Sequence, residues 1–263
     1  MLSRSYRRKF YNVDSADREA GSPVESFIAS LDMPYDNKWN TCTLLRCEID
    51  KTYYMLSDQR LDATVNSFPV TAGVTGATTG TVQLTPNANY STEQLREELE
   101  DELQAIEPNF NVYFNFEITN FSTGKYLITN SIPFSIDLTN APLIAQYLGF
   151  TPGIQTAVLD GGIYELISTQ QANLQRYQSI TISSNMAINN NTSELAFIFP
   201  TSSSFGSVIS YQNSFQSFFA SVAAGDVESN YFKFSITETS TGKPIILNGG
   251  NWRMLISLSQ EGL

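Results

Sequence analysis

The chain has 263 residues, with 15 Lys+Arg against 26 Asp+Glu and a net charge of −11. That length holds one large domain or two modest ones, and it can bury a core without covalent staples. The acidic balance argues against nucleic acid wrapped by the whole body. The absence of histidine excludes Ser-His-Asp and Cys-His nucleophiles, zincin motifs and histidine-based pH switching.

Charged residues are only 16% and aromatics 12%, in a chain rich in Ser, Thr and Asn, which suits sheets and turns better than helical bundles. No apolar run follows the basic start MLSRSYRRKF, and none approaches the ~20 residues of a membrane span, so neither a secretory signal nor a span is expected. The N-x-S/T frames at Asn89, Asn120, Asn190 and Asn191 are then expected to carry no glycan. Arg4, Arg7, Arg8, Lys9 and Arg18 make up a third of the basic residues, and Gly21-Ser22-Pro23 marks a break, so residues 1–23 read as a basic N-terminal arm.

Strands begin at Val24. Phe27, Ala29 and Leu31 alternate, and a longer run from Thr41 to Leu56 sets Thr43, Leu45, Cys47 and Ile49 on one face. The odd spacing of Cys42 and Cys47 predicts opposite faces and no disulfide. AGVTGATTG (72–80) lacks phosphate-loop spacing and reads as a hairpin tip.

One clear helix follows. Ser91 and Gln94 form a capping-box pattern, and Leu95, Leu99, Leu103 and Ile106 make one apolar stripe. Glu93, Glu97, Glu98, Glu100, Asp101 and Glu102 line the rest and read as a solvated face rather than a metal cluster. Val112, Phe114, Phe116 and Ile118 alternate as a strand, Ser122–Lys125 turn it, and Phe134–Leu138 gives another. Pro142–Leu148 reads as a short helix ended by Gly149.

The last third is plain β, with candidate strands at 163–167, 177–183, 195–199, 207–211, 232–237, 244–247 and 252–258. FEITNFSTGKYLITN (116–130) and FSITETSTGKPIILN (234–248) share S-T-G-K in register and read as two hairpins, with convergent turn chemistry preferred to an internal duplication.

The expected fold is dominated by β: a jelly-roll β-sandwich built from 24–57 and 159–263, with residues 58–158 as an α/β insertion domain. Two opening strands and about six later ones would give its eight strands. Two successive β lobes meeting near residue 155 are the other layout. No catalytic, cofactor or metal site stands out. A carboxylate pair such as Asp160 and Glu165 is the candidate for sugar chemistry, and LDGG reads as a tight turn. Thirteen Tyr and two Trp leave open an aromatic glycan platform.

RRKFYNVDSADREAG (7–21) resembles the opening of many capsid proteins of large icosahedral DNA viruses and virophages: an arm, then D-S-x-D-R (here Asp14, Ser15, Asp17 and Arg18), then the first strand. CEIDKTYYML, the stretch LTPNANYSTEQLREELEDEL, the tag Leu148-Gly149-Phe150 within YLGF, and ILNGGNWRMLISL follow in an order similar to that family's. The chain thus resembles its minor capsid or penton (vertex) proteins, which have a single jelly roll.

The resemblance implies a structural subunit of the virion capsid. It would be made in the host cytoplasm or virus factory and assemble as a homopentamer beside major capsid protein. The basic residues Arg4, Arg7, Arg8 and Lys9 would contact neighbouring capsid chains or packaged DNA. A spike-like or lectin-like module binding a host glycan or receptor, and a carboxylate-dependent carbohydrate enzyme, are the alternatives.

Overall fold

The computed structural model describes residues 7–18, 20–31, 39, 41–58, 63–74, 77–118, 121–188, 193–200, 206–213, 220–222 and 231–260. Along the chain run β1 (Arg7–Asp14), a 3₁₀ turn (Ser15–Asp17), β2 (Ser26–Ser30) and β3 (Thr41–Asp50). Then come β4 (Ser67–Ala72), β5 (Thr78–Gln83), α1 (Thr92–Ile106), β6 (Asn111–Phe114), β7 (Glu117–Ile118), β8 (Phe121–Ser122), β9 (Tyr126–Asn130) and β10 (Phe134–Asp137). They are followed by α2 (Pro142–Leu148), β11 (Ile154–Thr156), β12 (Val158–Asp160) and β13 (Ile163–Ile167). The last stretch holds β14 (Ile180–Ser184), β15 (Ala187–Ile188), β16 (Glu194–Ile198), β17 (Val208–Gln212), β18 (Ala220–Val222), β19 (Tyr231–Glu238) and β20 (Trp252–Gln260).

The chain divides into two compact units, one of residues 1–53 and 177–263, the other of residues 54–176. The first is a sandwich. One sheet has the order β1-β20-β3-β18-β15, with β17 also on β3, and the other β16-β14-β19-β2. The pairs are nested: β1 with β20, β2 with β19, β3 with β17 and β18, β14 with β16, all antiparallel. This is one long hairpin rolled over itself, the jelly-roll arrangement. β17 and β18 lie along the same edge of β3 and act as one interrupted strand, so, with the two-residue β15 set aside, the roll counts eight strands.

The roll corrects the expected arm. Residues 7–14 form its first strand because Tyr11 and Val13 alternate inward and are buried, while β20 supplies eight register partners, from Gln260 to Arg253. Arg7, Arg8 and Lys9 belong to this strand, and Arg4 lies outside the described residues. The opening therefore contributes three strands, not two. At 244–247 a single bridge, Thr237 to Pro244, replaces the expected strand, because proline offers no N–H to a ladder.

The core of this unit joins both sheets through Phe27, whose ring lies 5.3 Å from Trp252 and 6.1 Å from Phe234. Cys42 and Cys47 both face it, contrary to the alternation expectation. The β3–β20 register steps from Leu255↔Arg46 to Ile256↔Leu44, so Leu45 is an unpaired bulge residue and the inward phase flips. Both thiols are free.

The second unit holds two four-stranded sheets, β11-β10-β4-β5 and β12-β13-β9-β6, the small β7-β8 hairpin and both helices. Every strand pair in it is antiparallel, so it is an α+β unit and not the α/β arrangement expected. Its limits also differ from 58–158. β13 pairs with β9, which carries residues 158–176 into this unit, and Arg176 donates to the Tyr54 carbonyl within it. A strand pattern in 163–167 carries no information about which strand it joins.

Helix α1 forms as its sequence dictates. Ser91 Oγ accepts from the Gln94 N–H, and Gln94 Oε1 accepts from the Ser91 N–H. Leu95, Leu99 and Leu103 are fully buried. The expected strand 112–118 breaks at Asn115, which takes φ 55° and ends β6.

Both helices lie in the second unit, whereas both tryptophans, Trp39 and Trp252, lie in the first. Leu99→Ala should cost the second unit about 3 kcal/mol. It should lower the melting point of the helical far-ultraviolet signal more than that of tryptophan fluorescence, and Ile182→Ala should do the reverse.

Candidate functional site

The D-S-x-D-R residues sit at the corner where the chain leaves β1 for β2. Asp14 Oδ1 accepts from the Ala16 N–H at 2.9 Å and starts the 3₁₀ turn. Ser15 is fully buried, and its Oγ accepts from the Trp252 N–H at 2.9 Å. Arg18 donates through Nη1 to the Ser15 carbonyl at 2.6 Å and through Nε to the Ser22 carbonyl at 2.9 Å, so one guanidinium clamps the loop. Asp17 is exposed in the first turn, where a carboxylate favours the N–H end. The Trp252 indole N–H donates to the Val24 carbonyl at 2.7 Å. The motif fixes a corner of the fold.

Leu148-Gly149-Phe150 serves the second unit in the same way. Leu148 and Phe150 are buried, and Gly149 ends α2 at φ 75°. A Cβ there would stand 2.3 Å from the Gln170 carbonyl oxygen, so only glycine permits the approach. The Gln170 N–H donates back to the Gly149 carbonyl at 2.8 Å.

Of the basic residues, Arg8 donates from Nε to Ser257 Oγ at 2.6 Å and lies 5.2 Å from the Phe10 ring centre, on the outer side of β1. The Lys9 ammonium lies 5.0 Å from the Tyr11 ring. β1 is the edge strand of its sheet, so these side chains flank an open ladder edge.

Farther across the same sheet, Glu48 bonds both Arg253 and Arg46. The Arg253 hydrogen bond, with the two positive charges, holds the Glu48 carboxyl below its ordinary value. Sequence reasoning missed this triad. Arg46 and Glu48 share a face by alternation, but only the register brings Arg253 opposite Glu48. A shallow depression of about 360 Å³ lies beside it, lined by Asn12, Arg46, Glu48, Arg253, Met254 and Leu255. Its charged groups already bond each other.

The acidic helix does more than face solvent. Glu102 Oε2 accepts from the Gln83 N–H at the end of the edge strand β5, and Glu98 Oε1 from the Thr85 N–H just beyond it. Glu100 Oε1 accepts from the Val112 N–H of the other edge strand, β6. Arg96 bonds Glu93 at 2.6 Å and Glu100 at 2.7 Å. These carboxylates seal two sheet edges.

Asp160 ends β12, just before the turn where Gly161 and Gly162 both have positive φ, and Glu165 pairs across from Val158. The two S-T-G-K segments turn alike. Gly124 and Gly242 have φ 63° and 66°, and in both the lysine N–H donates to the threonine Oγ1. Trp252 and Trp39 are buried, and the exposed aromatics among the described residues (Phe10, Tyr113, Phe199 and Tyr231) are scattered over different strands and loops.

This fold is similar to known ones. The selenomethionine-labelled mavirus penton protein matches with a TM-score of 0.57 at 12% identity, over 98% of this chain and 100% of its own. A chain of the Sputnik virophage matches with a TM-score of 0.52 at 12% identity, over 95% and 97%. The resemblance read from the sequence thus has its counterpart in the fold. No protein-family model and no curated protein matches the chain.

Three outcomes test the corner and its sheet. Arg18→Ala should lower the stability of the first unit by about 1–3 kcal/mol, read by tryptophan melting, because two carbonyls lose a charged donor. Burial pushes the Cys42 thiol up to about 12 and raises Cys47 further, so neither should react with thiol reagents until the first unit opens. A depressed carboxylate stabilises the fold above its ordinary pKa and stops doing so as pH falls through the folded value. Glu48→Gln should therefore flatten the acid side of the first unit's stability profile.

Proposed function

We propose that the chain is a structural subunit of an icosahedral DNA virus capsid, at the five-fold vertex, and that it acts by assembly rather than catalysis. The observation that supports this most is the length of the fold match: the mavirus penton protein is covered end to end, and nearly all of this chain with it. Both units take part in that likeness, the rolled sandwich and the α+β insert.

The physics of the chain suits the role. Abundant hydroxyl and amide side chains with few charges favour wet, hydrogen-bonded packing between subunits. The insert interrupts the roll only between β3 and β14, so it can be elaborated without disturbing the nested pairs. In this reading the copies form a homopentamer beside major capsid protein, in the virion capsid. Arg7, Arg8 and Lys9 on the edge strand β1, with Arg4 before them, then meet an acidic neighbouring capsid chain or packaged DNA.

Light scattering on the native protein and electron microscopy of particles test it. A five-fold mass, or density for this chain at the vertices, is the expected result. Absence of the protein from purified virions would overturn the proposal. The basic residues are best tested by Arg7→Gln, Arg8→Gln and Lys9→Gln together, since truncation would remove β1 itself. The triple variant should melt near the parent temperature and lose the salt-sensitive part of its association.

A further inference from the structure

Every strand pair that ties the two flanks of the insert together spans the whole insert. Asp50 and its partner Val208 have 157 residues between them, and the insert is 123 of these, leaving 34. The β3–β18, β3–β20, β2–β19 and β1–β20 pairs reach farther still. By contrast, the longest-range pairing inside the insert, β4 with β10, joins Val70 to Ile136. The core of the insert runs from Met55 to Leu166 and is made of its own residues. Short-range pairs and a capped helix form sooner than long-range pairs.

The two ends of the insert are held by adjacent residues of α2. At the entry, the Tyr147 hydroxyl donates to the Met55 carbonyl at 2.8 Å, in a buried bond. The Met55 N–H donates to the Ala88 carbonyl at 3.1 Å and to Asn89 Oδ1 at 3.0 Å. At the exit, Gln146 Nε2 donates to the Gln175 carbonyl at 2.7 Å and to the Asn173 carbonyl at 3.3 Å. The buried Arg176 then joins exit to entry by donating to the Tyr54 carbonyl. All of these groups belong to the insert, so the meeting of its two ends is made within it.

We propose that the insert is a folding clamp for the roll: it folds first, and its joined ends bring β3 within reach of the strands after residue 176. The entropy cost of closing a flexible loop grows with the logarithm of its length, so closure becomes rarer as about the 3/2 power of that length. With the insert folded, 34 flexible residues rather than 157 separate Asp50 from Val208, which raises that closure about ten-fold. The roll offers the insert no such help, because the strand pairs of the insert all lie within residues 54–176. The dependence therefore runs one way. The proposal stands independently of the capsid reading.

Refolding of the full-length chain from denaturant, followed by the helical far-ultraviolet signal and by tryptophan fluorescence, tests it. Both helices report on the insert, and Trp39 and Trp252 on the roll. The helical signal should recover first. Leu99→Ala with Leu103→Ala, in denaturant that keeps the insert of this variant unfolded, should slow the tryptophan phase about ten-fold, although no residue of the roll has changed. Tyr147→Phe with Gln146→Leu and Arg176→Gln removes the clamp and keeps the leucine stripe. This variant should slow the tryptophan phase and leave the helical phase at the parent rate. Ile182→Ala, in the roll, should leave the helical phase unchanged. Tryptophan recovery that coincides with the helical signal or precedes it overturns the proposal. So does a tryptophan phase that either insert variant leaves at the parent rate. Should the leucine variant not refold at all, the clamp variant decides by the same reading.

Discussion

The pairing of β1 with β20 closes the sandwich, and the rest of the first unit lies inside that closure. Eight residues at the start of the described chain find their partners some 250 positions away, from Arg7↔Gln260 to Asp14↔Arg253. Each further pair nests within it, and the innermost, β14 with β16, has only the two-residue β15 between its strands. Contacts of such long range are slow to form, because loop closure must precede any gain from pairing. The corner after β1 holds this closure in register: Ser15 accepts from the Trp252 backbone, Arg18 clamps the loop, and the Trp252 ring joins the two sheets through Phe27.

The same nesting explains how a 123-residue unit can sit inside the sandwich chain. The interruption falls between two strands that are not hydrogen-bonded to each other, β3 and β14, so no nested pair is broken. Tyr53 and Tyr177, where the chain leaves and re-enters the first unit, stack edge to face at 4.7 Å. The insert carries 13 of the 26 acidic residues and only 4 of the 15 basic ones, and some of its carboxylates have a local structural use. Glu102 and Glu100 accept from backbone N–H groups on the edge strands β5 and β6, which occupies donors that another strand could otherwise take, and Glu98 accepts from Thr85 just beyond β5.

Fold likeness at 12% identity rests on this architecture rather than on shared side chains. The motif residues that prompted the resemblance have architectural work in this chain. The Asp14–Arg18 corner and the Leu148–Phe150 cap each fix a bend that the fold needs, through a buried hydroxyl in one case and a left-handed glycine in the other. Such residues mark a way of folding.

Local chemistry was legible in the sequence. The capping box of α1, its leucine stripe, the glycine at the end of α2, the hairpin tip after β4 and the strand alternation at Phe27, Phe232 and Trp252 all follow from spacings of two to four residues. The glycine turns of the two S-T-G-K segments follow from the same short range. Tertiary structure decided what depends on partners far away. It made residues 7–14 a strand rather than an arm, since a basic segment with two inward apolar residues gains from pairing only when β20 is beside it. It put Cys42 and Cys47 on one face, since a single bulge at Leu45 shifts the phase of every residue after it. It assigned β13 to the insert and turned part of an acidic helix face into a seal for two strand edges. Periodicity says which way a side chain points relative to its neighbours in sequence, but only the register says what stands opposite.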